Sequence, residues 1–123
     1  MSLKDSIKSS IEGSGKITES LIRAVSGIVK QGSASVSDIF GAVIDLGKEG
    51  VVDVAEGTKG VYVGAVKALK ESGKTTEEAI EEVSTHAETA ISNISQEGMK
   101  SISEAAKKGI EEAKEIVKKP FEK

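Results

Sequence analysis

The sequence predicts an all-α protein of three long amphipathic helices, folded as an antiparallel hairpin or bundle in a single domain of residues 1–123. Three observations lead there. Apolar residues recur at helical spacing along almost the whole chain and nowhere alternate for long as a strand would. From 76 to 116 the steps are four, three and four, repeated, which is an eleven-residue period. Glycines followed by good capping residues divide the pattern twice.

The first helix is expected over about 4–31. Its spacing is the least regular: Ile7, Leu21 and Ile28 fit a heptad, whereas Ile17 and Ile28 fit eleven. Gly32 ends it, and Ser33 to Asp38 offers N-cap residues for the next. The second helix, about 36–72, carries Val36, Phe40, Val43, Gly47, Val51, Val54, Thr58, Tyr62, Ala65 and Leu69. Gly50 lies inside this unbroken register and reads as a packing notch, at about 1 kcal/mol relative to Ala. Gly73 is a stop, and Thr75 followed by Glu78 is a capping box. The third helix, about 75–118, repeats Thr76, Ile80, Val83, Ala87, Ile91, Ile94, Gly98, Ile102, Ala105, Gly109, Ala113 and Ile116. Gly98 again reads as a notch. Pro120 ends the helix and leaves 119–123 as a frayed tail. Eleven residues in three turns is about 3.67 per turn, so these helices run nearly straight or with a slight right-handed supercoil.

A second, looser repeat overlies the first. An apolar residue, an Ala-Val or Ala-Ile pair, a further apolar residue and a Gly recur as Leu21 to Gly32, Ile39 to Gly50 and Tyr62 to Gly73. A copy led by Ala spans Ala87 to Gly98.

The candidate interaction surface is the stripe that this spacing produces. On the second helix it comprises Val36, Phe40, Val43, Gly47, Val51, Val54, Tyr62 and Leu69. On the third it comprises Ile80, Val83, Ala87, Ile91, Ile94, Gly98, Ile102, Ala105, Gly109 and Ile116. Small residues admit close backbone approach but bury little area, whereas a fully buried Ile or Val contributes about 1.5–3 kcal/mol. With two Phe, one Tyr and no Trp, the core of one chain is expected to be thin. Self-association through the stripes, giving a homo-oligomer, follows as the expectation; a protein partner or a lipid surface would serve the same need.

Charge and composition exclude several classes. There is no Cys, hence no disulfide, thiol nucleophile or cysteine metal site, and the single His precludes a multi-His metal site. A net charge of −3 is unsuited to nucleic acid. Residues 71–104 carry eight Glu against two Lys, whereas 107–123 carry six Lys against four Glu. Charge at Lys4 and Asp5 interrupts any leader-like apolar core, and no apolar run approaches the roughly 20 residues of a transmembrane helix. A soluble, cytoplasmic protein is expected.

Motif-like stretches carry little chemistry. Gly13-Ser14-Gly15-Lys16 lacks the first Gly and the Ser/Thr of a P-loop, and Gly57-Thr58-Lys59-Gly60 has no strand before it. Glu77, Glu78, Glu81 and Glu82 suit the positive end of a helix dipole. His86 follows Glu82 by four residues rather than the three of a Glu-x-x-His carboxylate site, and reads as a boundary residue. No catalytic residue and no cofactor is expected.

Lys48, Lys59 and Lys70 recur every eleven residues beside the stripe. The phrases Gly47 to Val52 and Thr58 to Gly64 resemble the eleven-residue units of synucleins, which lie as amphipathic helices on anionic lipid. The Ala/Gly/Lys/Glu-rich period is also similar to that of late-embryogenesis-abundant stress proteins. The low-aromatic helices and the Lys118-to-Phe121 tail are similar to phasins, and the Ala-Val…Gly unit resembles uncharacterised bacterial Ala/Gly-repeat proteins. These resemblances imply a non-enzymatic role. The expectation is a structural or interaction protein, with a reversible coat for a hydrophobic surface, or a stress-protective chain, as the alternatives.

Overall fold

A computed structural model describes residues 3–11, 17–32, 34–96 and 100–118. Among these the chain is helical, in six segments: α1 Leu3–Ile11, α2 Ile17–Gln31, α3 Val36–Lys48, α4 Val54–Glu71, α5 Thr76–Gln96 and α6 Lys100–Lys118. The all-α bundle stands, but three long helices become six shorter ones. Gly98 and residues 119–123 lie outside the described residues, as does Gly13 to Lys16.

Capping chemistry explains the boundaries. The Ser35 hydroxyl accepts from the Asp38 backbone N–H at 3.1 Å and opens α3. Thr75 and Glu78 form the reciprocal capping box before α5, with bonds of 3.0 and 3.1 Å. The backbone donation from Thr75 holds the Glu78 carboxyl below its usual range, against an opposing desolvation.

All three expected helices are divided, and in the second, about 36–72, the division falls within the described residues. Gly50 is not a notch within a helix; it adopts a left-handed φ of +81° and stops α3. Gly50 N–H donates to the Gly47 carbonyl at 3.1 Å and Val51 N–H to the Leu46 carbonyl at 3.0 Å. That pair of bonds is a Schellman motif. The same pair recurs at Gly73, whose N–H donates to Lys70 while Lys74 N–H donates to Leu69. After Gly50 the chain restarts at Asp53, whose carboxylate accepts from the Glu56 N–H at 3.0 Å.

The break lets α4 lie at the centre of the molecule, against α2, α3, α5 and α6. Its buried residues go all the way round the helix, from Val54, Gly57 and Thr58 to Val61, Tyr62, Val63, Gly64, Val66 and Leu69. Glycine makes this possible at two faces. A methyl group on Gly64 would lie 2.8 Å from the Ile22 carbonyl oxygen of α2, and one on Gly57 would lie 2.6 Å from the Val43 side chain of α3. On α6, a Cβ at Gly109 would collide with the Ala55 carbonyl and the Thr58 hydroxyl of α4. Gly47, a small site of the expected stripe, is pressed in the same way against Val54.

The expectation of a thin core within one chain is therefore corrected. Ile7, Leu21, Val25, Ile39, Phe40, Val43, Leu46, Val61, Tyr62, Val66, Val83 and Val117 are fully buried without a second molecule. The accessible surface, 6451 Å², is close to the roughly 6300 Å² of a compact monomeric protein of this mass. One apolar stripe per helix would bury little, but α4 is enclosed on four sides.

Candidate functional site

The expected stripe residues fall into three groups. Val36, Phe40, Val43, Val54, Tyr62, Leu69, Val83, Ala87, Ile94 and Gly109 are buried within the chain. Gly47, Val51, Ile80, Ile91, Ile102 and Ala105 are half-buried. Ile116 is 42% exposed. On α6 the buried face is Ser103, Ala106, Gly109, Ile110, Ala113 and Val117. It is rotated by about one residue from the expected Ile102, Ala105, Gly109 and Ile116. Gly109 meets the α4 backbone at Ala55, and the bulkier Ile102 and Ile116 are turned to the flank.

Polar side chains fasten the helices. Thr58 donates to the Val54 carbonyl of its own turn at 2.9 Å, with the Ala106 carbonyl of α6 at 3.4 Å. The Tyr62 hydroxyl meets Ser84 Oγ of α5 at 2.6 Å and lies 3.4 Å from the Ile80 carbonyl. Burial raises the Tyr62 pKa above its ordinary value, and the Glu111 and Glu88 charges push the same way against the Ser84 hydrogen bond. Lys59 reaches Glu112 of α6 at 3.3 Å and Glu56 at 3.5 Å. Burial disfavours its charge, but these carboxylates outweigh that and raise its pKa. Lys4 pairs with Glu49 and Lys30 with Glu71, tying α1 and α2 to the ends of α3 and α4. Of the lysines that recur every eleven residues, Lys48 pairs with Asp45 at 3.8 Å and Lys59 as described. Gly57 to Gly60, a glycine-flanked phrase, is an interior turn of α4 rather than a loop.

Among the described residues, two surface grooves stand out. One, about 210 Å³, runs between α3 and α5 over Gly41, Ile44, Ala90 and Ile94, with Asp45, Lys48 and Asn93 at its margin. At its end Ser37 Oγ lies 3.1 Å from His86 Nδ1, with both residues half-buried. Among the described residues no carboxylate orients this imidazole, so the pair acts as a clamp between α3 and α5. His86 sits at the core boundary, where the spacing put it.

The other groove, about 190 Å³, lies between α5 and α6. Its floor is Ala87, Ile91 and Ile110; Glu88 stands on the α5 side, and Lys107, Glu111 and Lys114 on the α6 side. Sequence spacing supplied Ala87 and Ile91 of this floor but missed its charged margin, because Lys107 and Lys114 fall outside the apolar stripe. Their seven-residue separation, matching that of Glu81 and Glu88 on α5, was the available signal.

Among the described residues, no three metal-capable side chains cluster, and no helix is long and apolar enough to cross a membrane. Comparison with known protein families, characterised proteins and solved structures finds no match for this chain.

Proposed function

We propose that this chain is a non-enzymatic structural or interaction protein, a self-contained helical bundle that associates with further copies of itself through its outer helices. The observation that carries this reading is the use made of the polar side chains. Thr58, Tyr62, Lys59 and the Ser37–His86 pair are each spent on joining one helix to another. Such an arrangement suits a rigid shape that presents a surface, rather than a site that binds and converts a substrate.

The small-residue seams take a different part in this reading than the sequence suggested. They close the bundle, and contact between copies falls to the charged surface outside it. Light scattering coupled to size exclusion, over a range reaching several hundred micromolar, tests the proposal. A mass that rises from one chain towards two supports it. A mass of one chain at every concentration overturns it.

A further inference from the structure

We propose that the turn of residues 49–53 is a hinge through which two copies of this chain exchange halves, α1–α3 of one copy packing on α4–α6 of the other. The partner is a second copy, and the surface it takes is the interior seam already described. The exchange is distinct from the surface association proposed above and does not rest on it.

The contacts beside the hinge fix the direction of the two helices that flank it. Gly47 of α3 is pressed against Val54 of α4, and Gly57 of α4 against Val43 of α3. One turn back along α3 is matched by one turn forward along α4, so the two run antiparallel away from the turn. The midpoint of both pairs lies at residues 50–51.

The same residues share one face of an uninterrupted helix. At 3.6 residues per turn, positions 43, 47, 50, 54 and 57 fall within an arc of about 80°. On that face the apolar period of Val36, Phe40, Val43, Gly47, Val51 and Val54 counts through the turn without a gap. Two straight helices, laid antiparallel about a two-fold axis at Gly50, set Gly47 of each on Val54 of the other and Val43 on Gly57. Each pairing made within one chain is reproduced twice between chains, as an isologous exchange requires. A residue without a side chain stands where the helices cross. The packing of Ile22 on Gly64 and the Ser37–His86 bond also span the hinge, and they carry over unchanged.

Local chemistry holds the closed form. Gly50 keeps its φ of +81°, the Schellman bonds form, and the Asp53 carboxylate caps α4. Val52, 5% exposed in the turn, would move to the opposite side of a straight helix and lose its cover. A short tether also presents each half to its own chain at a roughly millimolar effective concentration. Exchange therefore belongs to concentrated protein, and substitutions that favour helix through 49–53 bring it to lower concentration.

Cross-linking tests this directly. Lys30 and Glu71 pair across the hinge and both are exposed. Lys30→Cys with Glu71→Cys gives a chain with no other thiol, which a short bis-maleimide joins at those two points. In the closed monomer the link lies within one chain. In the exchanged dimer it joins two chains, and in a dimer made through outer surfaces it again lies within each. A second version adds Gly50→Ala and Asp53→Ala, and a third Gly50→Ala alone as the milder hinge variant. Circular dichroism checks that each is folded. Each is refolded at several hundred micromolar, separated by size, cross-linked and run on a denaturing gel, with the linked monomer showing that the reagent spans the pair. The hinge substitutions are expected to lower the dissociation constant about a hundredfold, about tenfold for each of the two hinges. The dimer is expected to run as two chains joined together. A dimer that separates into singly linked chains overturns the exchange and leaves surface association standing. Hinge variants that stay monomeric overturn it as well.

Discussion

At the scale of single residues, the glycines divide by what surrounds them. Gly64 and Gly109 lie against backbone carbonyls of neighbouring helices, so an added methyl group must push two helices apart. Replacing either with Ala is expected to destabilise the fold by about 1–3 kcal/mol. Gly27, within α2, has open space around it, and Gly27→Ala is expected to stabilise by about 0.5–1 kcal/mol through helix propensity. Urea titrations of the three variants check the signs. The sequence showed Gly109 as a small site because it repeats at eleven. It gave no such mark to Gly57 or Gly64, whose neighbours come from α3 and α2 and are fixed only by the tertiary packing. Tyr62 offers a second test. Its raised pKa means that the unfolded chain releases the phenolic proton first, so stability holds below pH 10 and falls as pH rises beyond it. With one Tyr and no Trp, ultraviolet titration reports this group alone. A midpoint above 10 is expected in the folded protein, and Tyr62→Phe should flatten the alkaline loss of stability.

At the scale of elements, the turn of residues 49–53 decides the architecture. A continuous helix over 36–72 could not fold α4 back between its neighbours. Gly50→Ala places a side chain at positive φ and is expected to cost about 1–2 kcal/mol; Asp53→Ala removes the cap of α4 and is expected to cost about 1 kcal/mol. Thermal melts read both. If either variant matched the wild type, the turn would not have the importance given to it here. The signals were present in the sequence: Gly50 ends the same repeat as Gly73, and Asp53 with Glu56 has the capping-box spacing. The apolar period ran through them undisturbed because a Schellman turn followed by a new helix can preserve the count. The rotation of α6 has another origin. Spacing defines a stripe to within a residue or so, and the contact of Ala106 and Gly109 with α4 chose its centre.

At the scale of the whole molecule, the all-α class was legible because it depends only on local spacing and capping. How much one chain buries was not. A stripe count assumes that each helix has one partner, while α4 has four. The glycines that weaken α4 as an isolated helix are what allow α2 and α3 to reach it. The same enclosure explains why the expected interaction residues lie mostly inside. What remains outside is a charge pattern, acidic on α5 and mixed on α6, which apolar periodicity does not register. The central claim is that small-residue seams complete the fold inside a single chain, with association between copies a separate and weaker event. The most direct test is the helical melting temperature followed by circular dichroism over a hundredfold dilution in the low micromolar range. A cooperative transition whose midpoint stays constant is expected. A midpoint that falls with dilution, with helix lost in the most dilute samples, would contradict the account, because folding would then require a second molecule.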